Sequence, residues 1–185
     1  NVLIAPAPYS APSAYYFPTV GRLSAIEVVK GPAAITQGPY TIGGALNMVS
    51  TPIPTEMSGN IITEAGEDST YRVHATYGGR SESGFGYLLE THQWLSDGFQ
   101  DIDRSNNNTG LDVEDYTIKL SYAPSNSAHG IELKLQSTEQ SSNQSYLGLT
   151  DRDFDNNAFR RYGLSARDNI KTEHEQQILR YSYDI

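Results

Sequence analysis

The chain contains no cysteine, so neither a disulfide framework nor a thiolate metal site is available to it. No apolar run approaches the roughly 18–20 residues that a membrane-spanning helix requires. That excludes a helical membrane protein but not a membrane barrel, whose strands need only about 9–11 residues and alternate in polarity. Cations are few as well: 13 Lys and Arg stand against 22 Asp and Glu, a formal net charge of −9. Nucleic acid is therefore not expected as a partner, since its phosphates demand clustered Lys and Arg. Convincing helical periodicity is missing throughout. Catalytic signatures are missing too: there is no nucleophile elbow, no phosphate-binding glycine loop and no Ser/His/Asp set placed by a motif. His74, His92, His129 and His174 are scattered, without metal-ligand spacing on one element. The expectation is a protein that is not an enzyme and has no catalytic residues, metal site or cofactor.

What the chain has is tyrosine and alternation. Thirteen tyrosines against five phenylalanines suit a surface that is apolar at one end of the side chain and wet at the other. Beyond Met57 the pattern has period two. Tyr71, Val73, Ala75 and Tyr77 share one face, opposite Arg72, His74 and Thr76. Tyr116, Ile118, Leu120 and Tyr122 repeat the arrangement, as do Ile131, Leu133 and Leu135, then Leu179, Tyr181, Tyr183 and Ile185. With the less regular stretches 58–65 and 84–94, this gives about six strands and a mostly all-β fold. Links at 66–69, 78–83 and 123–129 are short, whereas those at 95–112 and 141–171 are long and polar. Membrane barrels have short turns on the periplasmic side and long loops outside. With that orientation, Tyr77, Phe85, Tyr87, Tyr122 and Tyr183 collect at the periplasmic rim, where an aromatic girdle belongs. On this face assignment His74 and His92 point into the lumen, where a hydrogen-bonded structural role is expected.

The segment before Met57 differs. Residues 1–20 are rich in Pro, Ala and Tyr and form an exposed loop, because closely spaced prolines exclude a helix. A short buried strand is expected at 26–29, then a glycine-punctuated excursion (Gly31-Pro32, Gly38-Pro39, Gly43-Gly44), then a strand at 45–50 stopped by Pro52 and Pro54. This run from Ile26 to Pro54 is similar to the end of the plug domain of TonB-dependent outer-membrane receptors. Ala7-Pro-Tyr9 with Tyr16-Phe-Pro18 resembles the apical plug loop of the ferric-citrate-receptor-like siderophore branch. Ser145-Tyr-Leu-Gly-Leu-Thr-Asp-Arg-Asp-Phe-Asp, with Arg160-Arg161-Tyr162, resembles an extracellular loop of that branch. Lys30 departs from the family, which usually carries Arg there.

The resemblance implies that residues 1–56 are the C-terminal part of a plug and 57–185 the first about six antiparallel strands of a transmembrane β-barrel. The complete family barrel has about 22 strands. A sheet of six strands has two open edges and cannot satisfy its backbone in lipid. The chain is accordingly expected to be a piece of a longer protein, with the TonB box, the signal sequence and further strands elsewhere. The implied setting is the outer membrane of a Gram-negative bacterium. The implied partners are membrane lipid, TonB acting through an upstream segment, and a ferric siderophore or ferric citrate as transported ligand.

An anionic chelate presents carboxylate oxygens, which guanidinium groups recognise with paired donors. Arg160 and Arg161 lead the candidate ligand contacts, followed by Arg152 and Arg104. Tyr9, Tyr15 and Tyr16 could supply hydroxyls and ring faces. Binding of lipopolysaccharide phosphates, or pairing with the loops' own aspartates, is the competing role of these arginines. Asp151-Arg-Asp-Phe-Asp-Asn opens like a calcium loop but lacks the glycine at its sixth position, and the stretch from Asp101 fails at the same point. Asn107-Asn-Thr and Asn143-Gln-Ser match the glycosylation pattern, which short polar loops meet by chance. Two other functions stay open: a TonB-dependent receptor for cobalamin or a saccharide, and a soluble secreted β-rich binding or adhesion module.

Overall fold

The computed structural model describes residues 17–32 and 43–184. The chain divides into two compact units, Asn1–Pro52 and Ile53–Ile185, so the division lies within the proline-rich stretch 50–57. Architecture is mostly β, with antiparallel sheets.

In the first unit a single 3-10 turn (Val20–Arg22) leads into β1 (Leu23–Lys30), which pairs antiparallel with β2 (Gly44–Ser50). Glycine is needed at 44, where a Cβ would lie 2.8 Å from the Val29 carbonyl oxygen. Across the ribbon the Asn47 amide donates to Glu27 Oε2 at 2.7 Å. The strand expected at 26–29 is therefore present and longer, but it is not buried: Ile26 and Val28 are exposed. A two-stranded ribbon offers its side chains no second layer.

The second unit contains β3 (Ser58–Gly66), β4 (Thr70–Arg80), β5 (Phe85–Ser96), β6 (Asp101–Ile102), β7 (Leu111–Tyr122), β8 (His129–Ser142), β9 (Arg160–Arg161) and β10 (Ile170–Tyr183). Six of these form one antiparallel meander in the order β3-β4-β5-β7-β8-β10, and β6 pairs with β9 in a separate parallel bridge. Short connections follow from local chemistry. Asp68 and Ser69 both take positive φ, 54° and 51°, and the Thr70 amide donates to the Glu67 carbonyl, the mirror-image turn that suits strand twist. At the other end Gly84 (φ +87°) admits the Ala123 backbone, whose carbonyl oxygen would lie 2.5 Å from a Cβ.

The sheet's two faces are inverted relative to a soluble protein. On β7 the residues Asp115, Thr117, Lys119 and Ser121 are buried, while Tyr116, Ile118, Leu120 and Tyr122 on the opposite face are exposed. The contrast is wide: Thr117 keeps 1% of its surface exposed and Ile118 keeps 41%. Glu90 and His92 of β5 and Gln136 and Thr138 of β8 are buried on the same side as Thr117. The apolar surface of the neighbouring strands (Tyr71, Tyr77, Leu89, Ile131, Leu135, Leu179) lies on the exposed side.

Strands also run farther than their apolar alternation. Period two is clear in β7 only from Tyr116, yet the strand begins at Leu111; β8 continues through Ser142, and β10 begins at Ile170. In β8 and β10 both faces of the extension are almost wholly polar and carry little strand signal. In β7 Leu111 and Val113 put the apolar residues on the opposite, enclosed face, so the alternation changes phase at Tyr116 while the hydrogen-bond ladder continues.

Candidate functional site

Two features of the second unit place chemistry: the buried polar face and the pair of long loops. On the polar face one register row runs Ile62, His74, His92, Asp115, Thr138, His174 from β3 to β10. Next to it runs Asn60, Thr76, Glu90, Thr117, Gln136, Gln176. His74 Nε2 lies 3.0 Å from Glu90 Oε1, and the His74 and His92 rings are 5.9 Å apart between centroids. Thr138 donates to Asp115 Oδ2 at 2.9 Å and accepts from Gln136 Nε2. Lys134 donates to Gln176 at 3.1 Å, and Arg72 stacks 4.2 Å over the Trp94 ring. His74 thus has the hydrogen-bonded position that the sequence led us to expect. Among the described residues no group of three or more His, Cys, Asp or Glu side chains is disposed to hold a metal ion.

The loops join where β6 and β9 meet. Asp101 N donates to Phe159 O and Asp103 N to Arg161 O, both at 2.8 Å. Arg160 lies beside this bridge. Its Nε and Nη2 reach both oxygens of Asp103 (2.9–3.1 Å), and Nη1 reaches Asp153 Oδ1 at 3.0 Å. Its guanidinium carbon sits 5.2 Å from the Tyr162 ring centre, and the Tyr162 hydroxyl donates to Asp153 Oδ2. Arg161 points the other way and is buried, donating to Ser165 Oγ (2.7 Å), Ser165 O (2.9 Å) and Asn143 O. Every nitrogen of both guanidinium groups is engaged inside the loops. The two leading candidates for ligand contact thus serve loop structure, whereas Arg104 and Arg152 are exposed. Tyr9, Tyr15 and Tyr16 lie outside the described residues.

The calcium-like stretch is not an open loop. Asp151–Asn156 forms a short helix, α1, whose N-terminus is capped by Thr150 Oγ1 accepting from Asp153 N at 3.3 Å. Asp153, third in that run, is committed to Arg160 and Tyr162.

Residues that the sequence did not single out as functional complete the loop pair. Asn108 donates to Asp97 Oδ1 (3.0 Å) and accepts from Asn143 Nδ2 (2.6 Å), and Asn143 Oδ1 accepts from Asn169 Nδ2 (2.8 Å). This head-to-tail amide relay runs across both loop bases. The sequence marked Asn143 only through a glycosylation pattern set aside as a chance match; in the structure its side-chain amide is engaged by Asn108 and Asn169.

Charge reinforces the clamp. Hydrogen bonding from Arg160 holds the Asp103 carboxyl below the ordinary carboxylate range, and hydrogen bonding from Tyr162 does the same for Asp153. The Asp103 hydrogen bond raises Arg160 in turn. A depressed carboxylate contributes stability that is complete above its unfolded pKa, near 4, and is lost as pH falls through the lower folded value. Loop order is therefore expected to be flat from pH 8 to about 5 and to fail only below about 4. Exchange or fluorescence of the loops against pH checks this; a transition near 6 would contradict it.

Together these features define a class: an antiparallel all-β protein with an enclosed polar sheet face, an exposed apolar one, and two long loops joined at one end. No protein-family model matches the chain.

Proposed function

We propose that this chain is part of an outer-membrane receptor for TonB-dependent uptake of an anionic ferric chelate, such as ferric citrate or a related siderophore. One observation carries the membrane reading: apart from Leu88 and Val113, the main sheet encloses mostly polar side chains and exposes most of its apolar ones. In water that arrangement wastes the hydrophobic driving force, but around a hydrated lumen in lipid it satisfies both surfaces.

The edge of the apolar zone supports the same reading. On the exposed face it falls between Glu114 and Tyr116 in β7, between Ser137 and Leu135 in β8, and between Gln177 and Leu179 in β10. Tyr116 registers with Ser137 and Glu175, and Ile118 with Leu135 and Gln177, so from β7 to β10 the edge descends one outward residue per strand. On β5 it falls between Thr91 and Leu89, one outward residue below that of β7. Each step from β7 to β10 is about 6.8 Å along the strand for about 4.8 Å across. A flat bilayer surface cutting strands inclined by roughly 35–45° produces a stair of this kind, within the two-residue grain of the pattern. Tyr77, Phe85, Tyr122 and Tyr183 are exposed near the short-turn end, as an interfacial girdle requires.

In this reading the loops face the medium. Arg104 and Arg152 supply cationic donors to the chelate, while Arg160 and Arg161 hold the surface that presents them. The similarity of the 26–54 stretch to a plug terminus supports the assignment to TonB-dependent receptors, with TonB acting through an upstream segment. Transport then proceeds from ligand capture at the plug apex and loops to plug rearrangement under tension from TonB.

The natural absence of cysteine makes a labelling test clean. Single cysteines at 116–121, labelled with a fluorophore in vesicles, should alternate: positions 116, 118 and 120 quenched by brominated lipid, positions 117, 119 and 121 shielded from it. Equal quenching on both faces, or no partition into vesicles, would sink the membrane reading. Ferric chelates titrated against the intact receptor by intrinsic fluorescence then test the ligand class.

A further inference from the structure

We propose that the two long loops form a single preformed platform keyed by Asn143, so that neither loop opens or closes on its own. Asn143 is the first residue after β8, and four of its groups bind four residues in three segments. Its N–H donates to Gly110 O (2.8 Å), its side-chain amide to Asn108 Oδ1 (2.6 Å), its side-chain carbonyl accepts from Asn169 (2.8 Å), and its backbone carbonyl accepts from Arg161. One residue thus ties the return of the first loop to the middle and the end of the second.

Three further ties make this a body rather than a point contact. The β6–β9 bridge joins the loops through backbone, and the Arg160 clamp spans 57 positions of sequence to Asp103. Asn107 Nδ2 donates to Ala166 O at 2.8 Å, a contact between other parts of the same two loops. The first loop's stem is also closed: Thr109 N donates to Asp97 O (2.9 Å), and a Cβ at Gly110 would meet Ser96 O at 1.7 Å. A stem this tight has no slack for a hinge, so the platform is continuous with β5 and β7. In the receptor reading, on which only this clause rests, ligand meets Arg104 and Arg152 already positioned and binding orders neither loop.

Residue-resolved hydrogen exchange on the intact protein in detergent micelles, without ligand, tests the platform. The Asp101 and Asp103 amides should be protected at least about 100-fold over an unstructured chain. Asn143→Ala should lower that protection about tenfold, although residue 143 donates to neither amide's partner, while ladder amides of β7 and β8 stay unchanged. Loss of ladder protection would identify a misfolded variant, and Asn143→Asp, which keeps the carbonyl acceptor and loses the amide donor, then supplies the reading. Unprotected Asp101 and Asp103 in the parent protein would overturn the proposal, as would an effect confined to residue 143 itself. Because no ligand or lipid assay enters, failure here is distinguishable from failure of the receptor reading.

Discussion

Ile118→Arg is expected to destabilise the folded protein in a lipid bilayer by about 2–4 kcal/mol, the cost of a cation near the midplane of a barrel's lipid face. Ile118 is 41% exposed, is an inner member of the β7 apolar run Tyr116, Ile118, Leu120, Tyr122, and has Leu89 and Leu135 as register neighbours on the same face. In a soluble sheet the same substitution at an exposed site would shift stability by no more than about 0.5 kcal/mol. Glu114→Arg is the control: same strand and face, two outward positions higher, above the apolar edge and opposite Glu139. It is expected to cost about 0–1 kcal/mol, as at an interface. Reversible urea titration in vesicles measures both. Equal, small effects at the two positions would return the protein to a soluble β-rich module.

Arg161→Leu is expected to have the largest effect in the loops. The side chain is 3% exposed and donates to Ser165 Oγ, Ser165 O and Asn143 O. Hydrogen bonds from a charged donor contribute about 1.5–3 kcal/mol each, and their loss leaves buried acceptors unmet. We expect a loss of roughly 3 kcal/mol or more of loop stability, and with it about 100-fold in chelate affinity. Arg104→Ala combined with Arg152→Ala should behave differently. Affinity should fall about 10- to 100-fold and lose its salt dependence, with loop amide protection intact. Affinity and protection measured side by side separate the two roles. If the exposed pair proved silent, the anionic-chelate assignment would lose its contacts in this part of the chain.

The sheet was legible because its signal is local. Alternation over 71–77, 116–122 and 131–135 marks a half-exposed strand wherever it occurs, and the turns at 66–69 and 78–83 carry their own residue chemistry. The strand extensions at 137–142 and 170–177 leave almost no period because both faces are polar, and the one at 111–115 breaks the period because Leu111 and Val113 lie on the face opposite Tyr116 and Ile118. The loops were left open for a different reason. Pairing of Arg160 with a loop aspartate was one of the roles the sequence allowed, but nothing in a linear chain says that the partner is Asp103, 57 positions away. Asn107 and Asn143 likewise matched a short pattern whose meaning depends on whether the amide is free.

By itself the sequence determined the strand grammar, the two faces of each strand and the split between short turns and long loops. Those properties depend on neighbours one to four residues apart, which a chain displays directly. Only the tertiary structure decided which face is enclosed, because alternation is symmetric and reads the same with either side inward. It also decided that the Arg160 and Arg161 guanidinium groups are both engaged within the loops. Both outcomes depend on contacts between distant segments, where the hydrogen-bonding capacity of each side chain is claimed by whichever partner the fold brings within reach.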